Sequence, residues 1–186
     1  RKKLIESHPE ILQREANFDK LAAARLTSIM RIEDETLIIP VVFHIIHDYG
    51  SENISDAQVI DAMENINADF RGTNVDFLAT IPEYADIAAD LNIEFRLAQR
   101  ELSGGCTNGI DRIASLRTYE GSDAAKLGGW QSGKYLNIWV CNLSGGVLGY
   151  AQFPGGAAAT DGVVITYTGF GTNGTALAPF NKGRTA

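Results

Sequence analysis

His44 and His47, three positions apart, are the residues whose type and spacing most invite a metal ion. They lie in the near-continuous apolar run Leu37-Ile38-Ile39-Pro40-Val41-Val42-Phe43-His44-Ile45-Ile46-His47. That run reads as a strand buried on both faces, with Pro40 near its start. Side chains alternate across a strand, so positions three apart face opposite sides and cannot grip one ion. Core or rim histidines are the better reading, and no metal ligand is assigned in the globular part. The remaining histidine, His8, sits near the N-terminus.

Other candidate chemistry is equally incomplete. Gly169-Phe170-Gly171-Thr172-Asn173-Gly174 has the spacing of a pyrophosphate cradle and comes after an apolar run. The cradle works only if a helix opens at those glycines. The next residues, Thr175-Ala176-Leu177-Ala178-Pro179-Phe180, are few and broken by proline, and no acid stands at the ribose position. A flexible loop is the better account. No Ser, Cys or Thr stands in a nucleophile setting. Cys106 comes after Gly104-Gly105, and a Cys–His pair would need His44 or His47, so Cys106 reads as a structural thiol or disulfide. Together Cys106 and Cys141 could be a disulfide, two buried thiols, or halves of pairs with other partners. Asp56, Asp61 and Glu64 read as the solvated face of a helix.

The elements that must position these residues are clearer. With 186 residues, 45% apolar and 21% charged, the chain can build one ordinary core, alone or with an extension. A net charge of −7 argues against nucleic acid or anionic membrane as the main partner, and no apolar run approaches a membrane span. The start, Arg1-Lys2-Lys3, carries no signal-peptide pattern and is compatible with prior trimming. Residues 1–36 are charged and glycine-free. There Ile11, Leu12, Phe18, Leu21 and Ala22 share one helical face, ahead of the acidic Glu33-Asp34-Glu35. Two readings stay open for this segment: a helix packed on the domain, or a pro-segment.

Beyond the first strand, Ser55-Asp56-Ala57-Gln58 is a capping box in which Gln58 reaches back. Val59, Met63, Ile66 and Phe70 repeat at helical spacing, predicting an amphipathic helix from Ser55 to about Arg71 that Gly72 ends. Further strands are expected at Ile93–Leu97, Tyr135–Cys141, Leu148–Phe153 and Gly162–Tyr167. The fold class is therefore α+β: a twisted mixed, mainly parallel five-stranded sheet with a backing helix. Val59, Met63, Ile66 and Phe70 are expected to pack on Val42, Ile138 and Val164.

Several stretches together are more specific than any one. They are Ile39–His47, Ser55-Asp56-Ala57-Gln58, Thr107-Asn108-Gly109-Ile110-Asp111-Arg112, Tyr135–Val140, Leu148-Gly149-Tyr150-Ala151-Gln152-Phe153-Pro154 and Asp161–Ile165. In this order they resemble the pappalysin family of metzincin zinc endopeptidases, over roughly residues 37 to 186. In that family Gly-Arg-Thr-Ala-Thr leads into the helix carrying HExxHxxGxxH, and Gly183-Arg184-Thr185-Ala186 matches its first four residues. The resemblance thus implies a pro-segment (1–36) and a metalloprotease N-terminal subdomain (37–186), with the zinc ligands expected beyond Ala186.

The resemblance also implies a secreted zymogen that hydrolyses peptide bonds with zinc-activated water, with calcium as a possible further ion. The partners it implies are peptide or protein substrates and the protein's own C-terminal half. Metzincins lay the substrate along an edge strand; by order along the chain that strand is Gly149-Tyr150-Ala151-Gln152. An ordinary edge strand is the competing reading. Some metzincin pro-segments silence zinc with an acid near an aromatic residue, which points to Asp19 beside Phe18, with Asp34 second. Asp19 as a plain helix-surface acid stands against this. From another class altogether, a non-catalytic peptide-binding module offering the same edge would fit the same sheet.

Overall fold

The computed structural model describes residues 9–26, 36–153 and 156–185. Helix α1 (Glu10–Leu26) forms within the N-terminal segment and exposes Leu12, Phe18 and Leu21. Strand β1 (Leu37–His47) then organises the rest. Leu37 and Phe43 give their amides to Asn92 O and Gly109 O, each at 2.9 Å. Alternate residues of a strand face the same edge, so both bonds lie on one side of β1. On that side β2 (Ile93–Leu97) pairs with Leu37–Val41, and β3 (Ile110–Ala114) pairs with Phe43–His47. The opposite edge takes β4 (Leu136–Cys141), in register from Val41↔Leu136.

Pro40 belongs to the set of residues that face β4. Its missing N–H falls just ahead of the first β4 pair, so the proline removes no ladder bond. Beyond β4 come β6 (Val163–Thr166), parallel, and then β5 (Gly149–Ala151), antiparallel and last. The sheet is mixed and mostly parallel, as expected, but among the described residues it has six strands rather than five. The extra one is β3. Its sequence, Ile110-Asp111-Arg112-Ile113-Ala114, is short and lacks clean alternation, and it shares one sheet position with β2.

Helix α2 (Asp56–Phe70) opens on Ser55, whose hydroxyl accepts the Gln58 amide at 3.2 Å. It lies across the face carrying Val41, Phe43 and Ile45. Val59, Ala62, Met63 and Ile66 are buried there with Phe95, Ile138, Val140, Ile165 and Phe170, and Phe70 packs at the margin. Two of the expected partners are corrected. Val164 sits on the other face with Ile46, Trp139 and Cys141, and Val42 is buried outside the helix-side cluster. The alternation decides both: Val163 and Ile165 take the helix side of β6, and odd positions of β1 do the same. After α2, Gly72 adopts φ +61, where a side chain would also strike the Phe77 ring at 2.7 Å. Two single-turn helices come next, α3 (Val75–Leu78) and α4 (Pro82–Ala85).

Met63 is 6% exposed in the middle of this layer. Met63→Asp buries an unpaired carboxylate and should cost several kcal/mol, on the order of 3. Urea unfolding measures it; an unchanged midpoint contradicts the packing.

Candidate functional site

β5 ends the sheet, and its short ladder shows which groups point where. Thr166 donates its amide to Leu148 O at 2.8 Å, two residues ahead of the Tyr150↔Val164 pair. In an antiparallel ladder, hydrogen-bonded pairs alternate with open ones. Tyr150 therefore directs its backbone groups at β6, whereas Gly149 and Ala151 direct theirs outward. Among the described residues nothing pairs with those four outward N–H and C=O groups. Gly149 also meets a steric demand, because a Cβ there would stand 2.7 Å from Val164 O. The stretch Gly149-Tyr150-Ala151-Gln152 thus divides into two edge residues and two anchors.

Tyr150 anchors through its ring, packed on the Trp139 side of the sheet. Burial, with Asp123 and Cys141 nearby, pushes its hydroxyl up to about 12, so it stays a neutral phenol. Gln152 is committed to its own loop. Its Nε2 donates to Ala157 O at 3.0 Å and its Oε1 accepts from Thr160 Oγ1 at 2.7 Å.

The remaining candidates fall elsewhere. Asp19 is exposed on α1, and Asp34 lies outside the described residues. His44 and His47 do face opposite ways. His47, at the end of β1, is buried, its Nδ1 accepting the Tyr49 amide at 3.2 Å. His44 is fully buried, stacked on Trp139 at 5.3 Å. Its Nε2 lies 2.9 Å from Asn137 Oδ1. Asn137 is held by Trp130, which donates its amide to Oδ1 at 2.7 Å and accepts from Nδ2 at 2.8 Å. This fixes the amide orientation, so His44 Nε2 is the donor. Asp111 Oδ2 stands 3.3 Å from His44 Nδ1 and accepts from the Trp130 indole at 2.9 Å. Among the described residues, no group of three or more His, Cys, Asp or Glu could hold a metal ion.

Three further expectations are corrected. Gln58 does not reach back to complete a capping box. Buried, it donates to Phe170 O at 2.8 Å and accepts the Thr175 amide at 2.9 Å. Asp61 takes both the amide and the hydroxyl of Thr172, so the glycine-rich loop is pinned to α2 rather than free. Asp56, although paired with Arg112, and Glu64 are both exposed, as expected of a solvated helix face. Cys141 is buried and Cys106 exposed, and they are not bonded to each other. Sequence reasoning missed Lys126 and Asn137 altogether, since a single polar residue in a loop or strand carries no spacing signal.

No family model matches the chain, and no curated protein does. Solved structures do. A promirolysin point mutant from Tannerella forsythia superposes with a TM-score of 0.86 at 37% identity, covering 98% of this chain and 62% of that one. Mature mirolysin of that organism, in complex with a cleaved peptide, gives 0.74 at 42% identity, covering 82% and 60%. Mirolysin in complex with a compound gives 0.77 at 44%, covering 82% and 61%. The fold is an α+β, metzincin-like one. With these identities along most of its length, the chain is similar to mirolysin and its proenzyme, a pappalysin-family metzincin. It spans about three fifths of those relatives, which are a peptidase and its proenzyme.

Burial holds His44 below its ordinary pKa, against the opposing pull of Asn137 and Asp111. A folded pKa below the unfolded value of about 6.5 means that the unfolded state binds the extra proton first. This contribution is complete above about pH 6.5 and is lost as pH falls through the depressed folded value. Unfolding free energy should therefore decline as pH falls from about 6.5 to about 5, with a flatter slope in His44→Gln. Equal slopes in urea titrations contradict the assignment.

Proposed function

We propose that this chain is the pro-segment and N-terminal subdomain of a secreted zinc endopeptidase zymogen, with residues 1–36 as the latency segment and 37–186 as the subdomain. The observation that carries the reading is the outward backbone of Gly149 and Ala151, a template on which an extended peptide can add as a further strand. Each such hydrogen bond contributes about 1 kcal/mol net, so the edge orients a substrate more than it grips it. A relative solved with a cleaved peptide supports the same use. The proenzyme covers nearly the whole chain and the mature form less, by an amount close to the size of the N-terminal segment.

The resemblance puts the zinc ligands beyond Ala186, and among the described residues no group of three or more His, Cys, Asp or Glu could hold a metal ion. Zinc would activate the hydrolytic water, with calcium as a further ion that the family resemblance allows. This chain's own share is to align the peptide. No helix of the described residues is long and apolar enough to cross a membrane. A non-catalytic peptide-binding module would use the same edge, and hydrolysis by the full-length protein separates the two.

Ala151→Pro tests the edge. Its N–H points outward, so proline spares the ladder to β6 while removing one donor for the peptide. In the full-length protein KM for an extended peptide should rise about tenfold with little change in kcat. An unchanged KM contradicts the reading.

Latency is assigned to Asp19, the exposed acid of α1 beside Phe18, as a carboxylate that would occupy the open zinc position. Asp19→Ala should speed self-activation of the full-length zymogen. If only Asp34→Ala does so, the acid is misassigned.

A further inference from the structure

Burying an ammonium costs several kcal/mol unless its partners are well placed. Lys126 is nevertheless buried to the tip, its side chain 1% exposed. It lies in the loop after β3, just beyond the short 3₁₀ turn Asp123–Ala125. Nζ donates to Thr160 O at 2.6 Å and stands 2.9 Å from Asp123 Oδ1. The same cation lies 5.4 Å from the Tyr150 ring centroid and 5.7 Å from that of Trp139.

These partners converge on β5. Tyr150 is its central residue. Thr160 uses its hydroxyl to hold Gln152, the residue after the strand. Trp139 sits on β4 and carries the layer on which Tyr150 packs. β5 has three residues and, among the described residues, pairs with β6 alone, so its ladder fixes it weakly and side-chain tethers must do the rest. Both anchors, Tyr150 and Gln152, trace back to one nitrogen.

We infer that Lys126 is the positioning residue of the peptide-binding edge: its buried cation holds Tyr150 and, through Thr160, Gln152, so that Gly149 and Ala151 present their backbone at a fixed height and angle. The assignment rests on the edge-strand reading of function. A cation suits the task because it binds a carbonyl and two ring faces at once, which an apolar side chain of equal volume cannot do.

Lys126→Met separates positioning from packing, since an apolar replacement of a buried charge is often neutral for stability. In the full-length protein we expect the urea midpoint to be nearly unchanged and KM for an extended peptide to rise about tenfold, with kcat changing by less than about twofold. Lys126→Arg, which returns the cation, should recover much of the lost KM. An unchanged KM in folded Lys126→Met overturns the assignment, as does an arginine variant no better than methionine. If Lys126→Met does not fold, Asp123→Asn weakens the charge pair and leaves the lysine in place. A raised KM then supports the assignment, and a wild-type KM overturns it. Ala151→Pro, measured alongside, keeps the two levels apart. If it raises KM while Lys126→Met does not, only the role of Lys126 falls; if neither variant does, the edge reading itself falls.

Discussion

Two-sided pairing of β1 is the constraint on which the rest of the structure depends. Its first half is flanked by β2 and its second half by β3 on the same edge, while β4 closes the other. With both edges filled, side-chain alternation assigns every neighbour to a layer. Odd positions of β1 meet α2; even positions include His44 and Ile46, with Ile46 packed beside Trp139 and Val164. A one-residue slip would place His44 under α2 and expose the helix's apolar stripe. The sheet then grows outward through β4 and β6 to β5, which has no further strand beside it among the described residues. The open edge proposed to receive a peptide is a consequence of the order in which the strands are filled.

Alongside its apolar stripe, α2 carries a polar one that guides the returning chain. Gln58 and Asp61 hold the turn around Phe170 and Thr172. Further along the helix, Gly183 packs on Asn65 with φ +68, where any Cβ would lie 2.8 Å from the asparagine side chain. Arg184 pairs with Asp69 and with Asp76 of α3. These helix positions recur every three or four residues, so one face lines up with the chain as it runs from β6 toward Ala186. The hydrophobic layer sets where α2 lies, and this polar line sets where the chain goes next.

Much of this was legible from the residues. The apolar run of β1, the spacing of Val59, Met63, Ile66 and Phe70, and the opposed histidines all stem from local periodicity. What escaped were features that only long-range pairing creates. Ile110–Ala114 has two polar residues at its centre and becomes a strand because β1 has an edge to fill. Val42 and Val164 read as helix-facing until register assigned their side. Gln58 fitted a local cap but found better partners more than a hundred residues away. At the candidate site, Gly149 to Gln152 were singled out by order along the chain, yet their division into edge and anchor needed the ladder. Lys126 gave no sign at all, because the role inferred for it depends on Tyr150, Trp139 and Thr160 meeting in space.

The central claim is that Gly149 and Ala151 receive an extended peptide while Tyr150 faces inward. Residue-resolved amide exchange in the full-length protein, with and without a non-hydrolysable extended peptide, addresses it most directly. The account predicts that the Gly149 and Ala151 amides slow when the peptide is added. Tyr150, already bonded to β6, should keep its rate and serve as the internal control. Unchanged exchange at Gly149 and Ala151 under saturating peptide would contradict it.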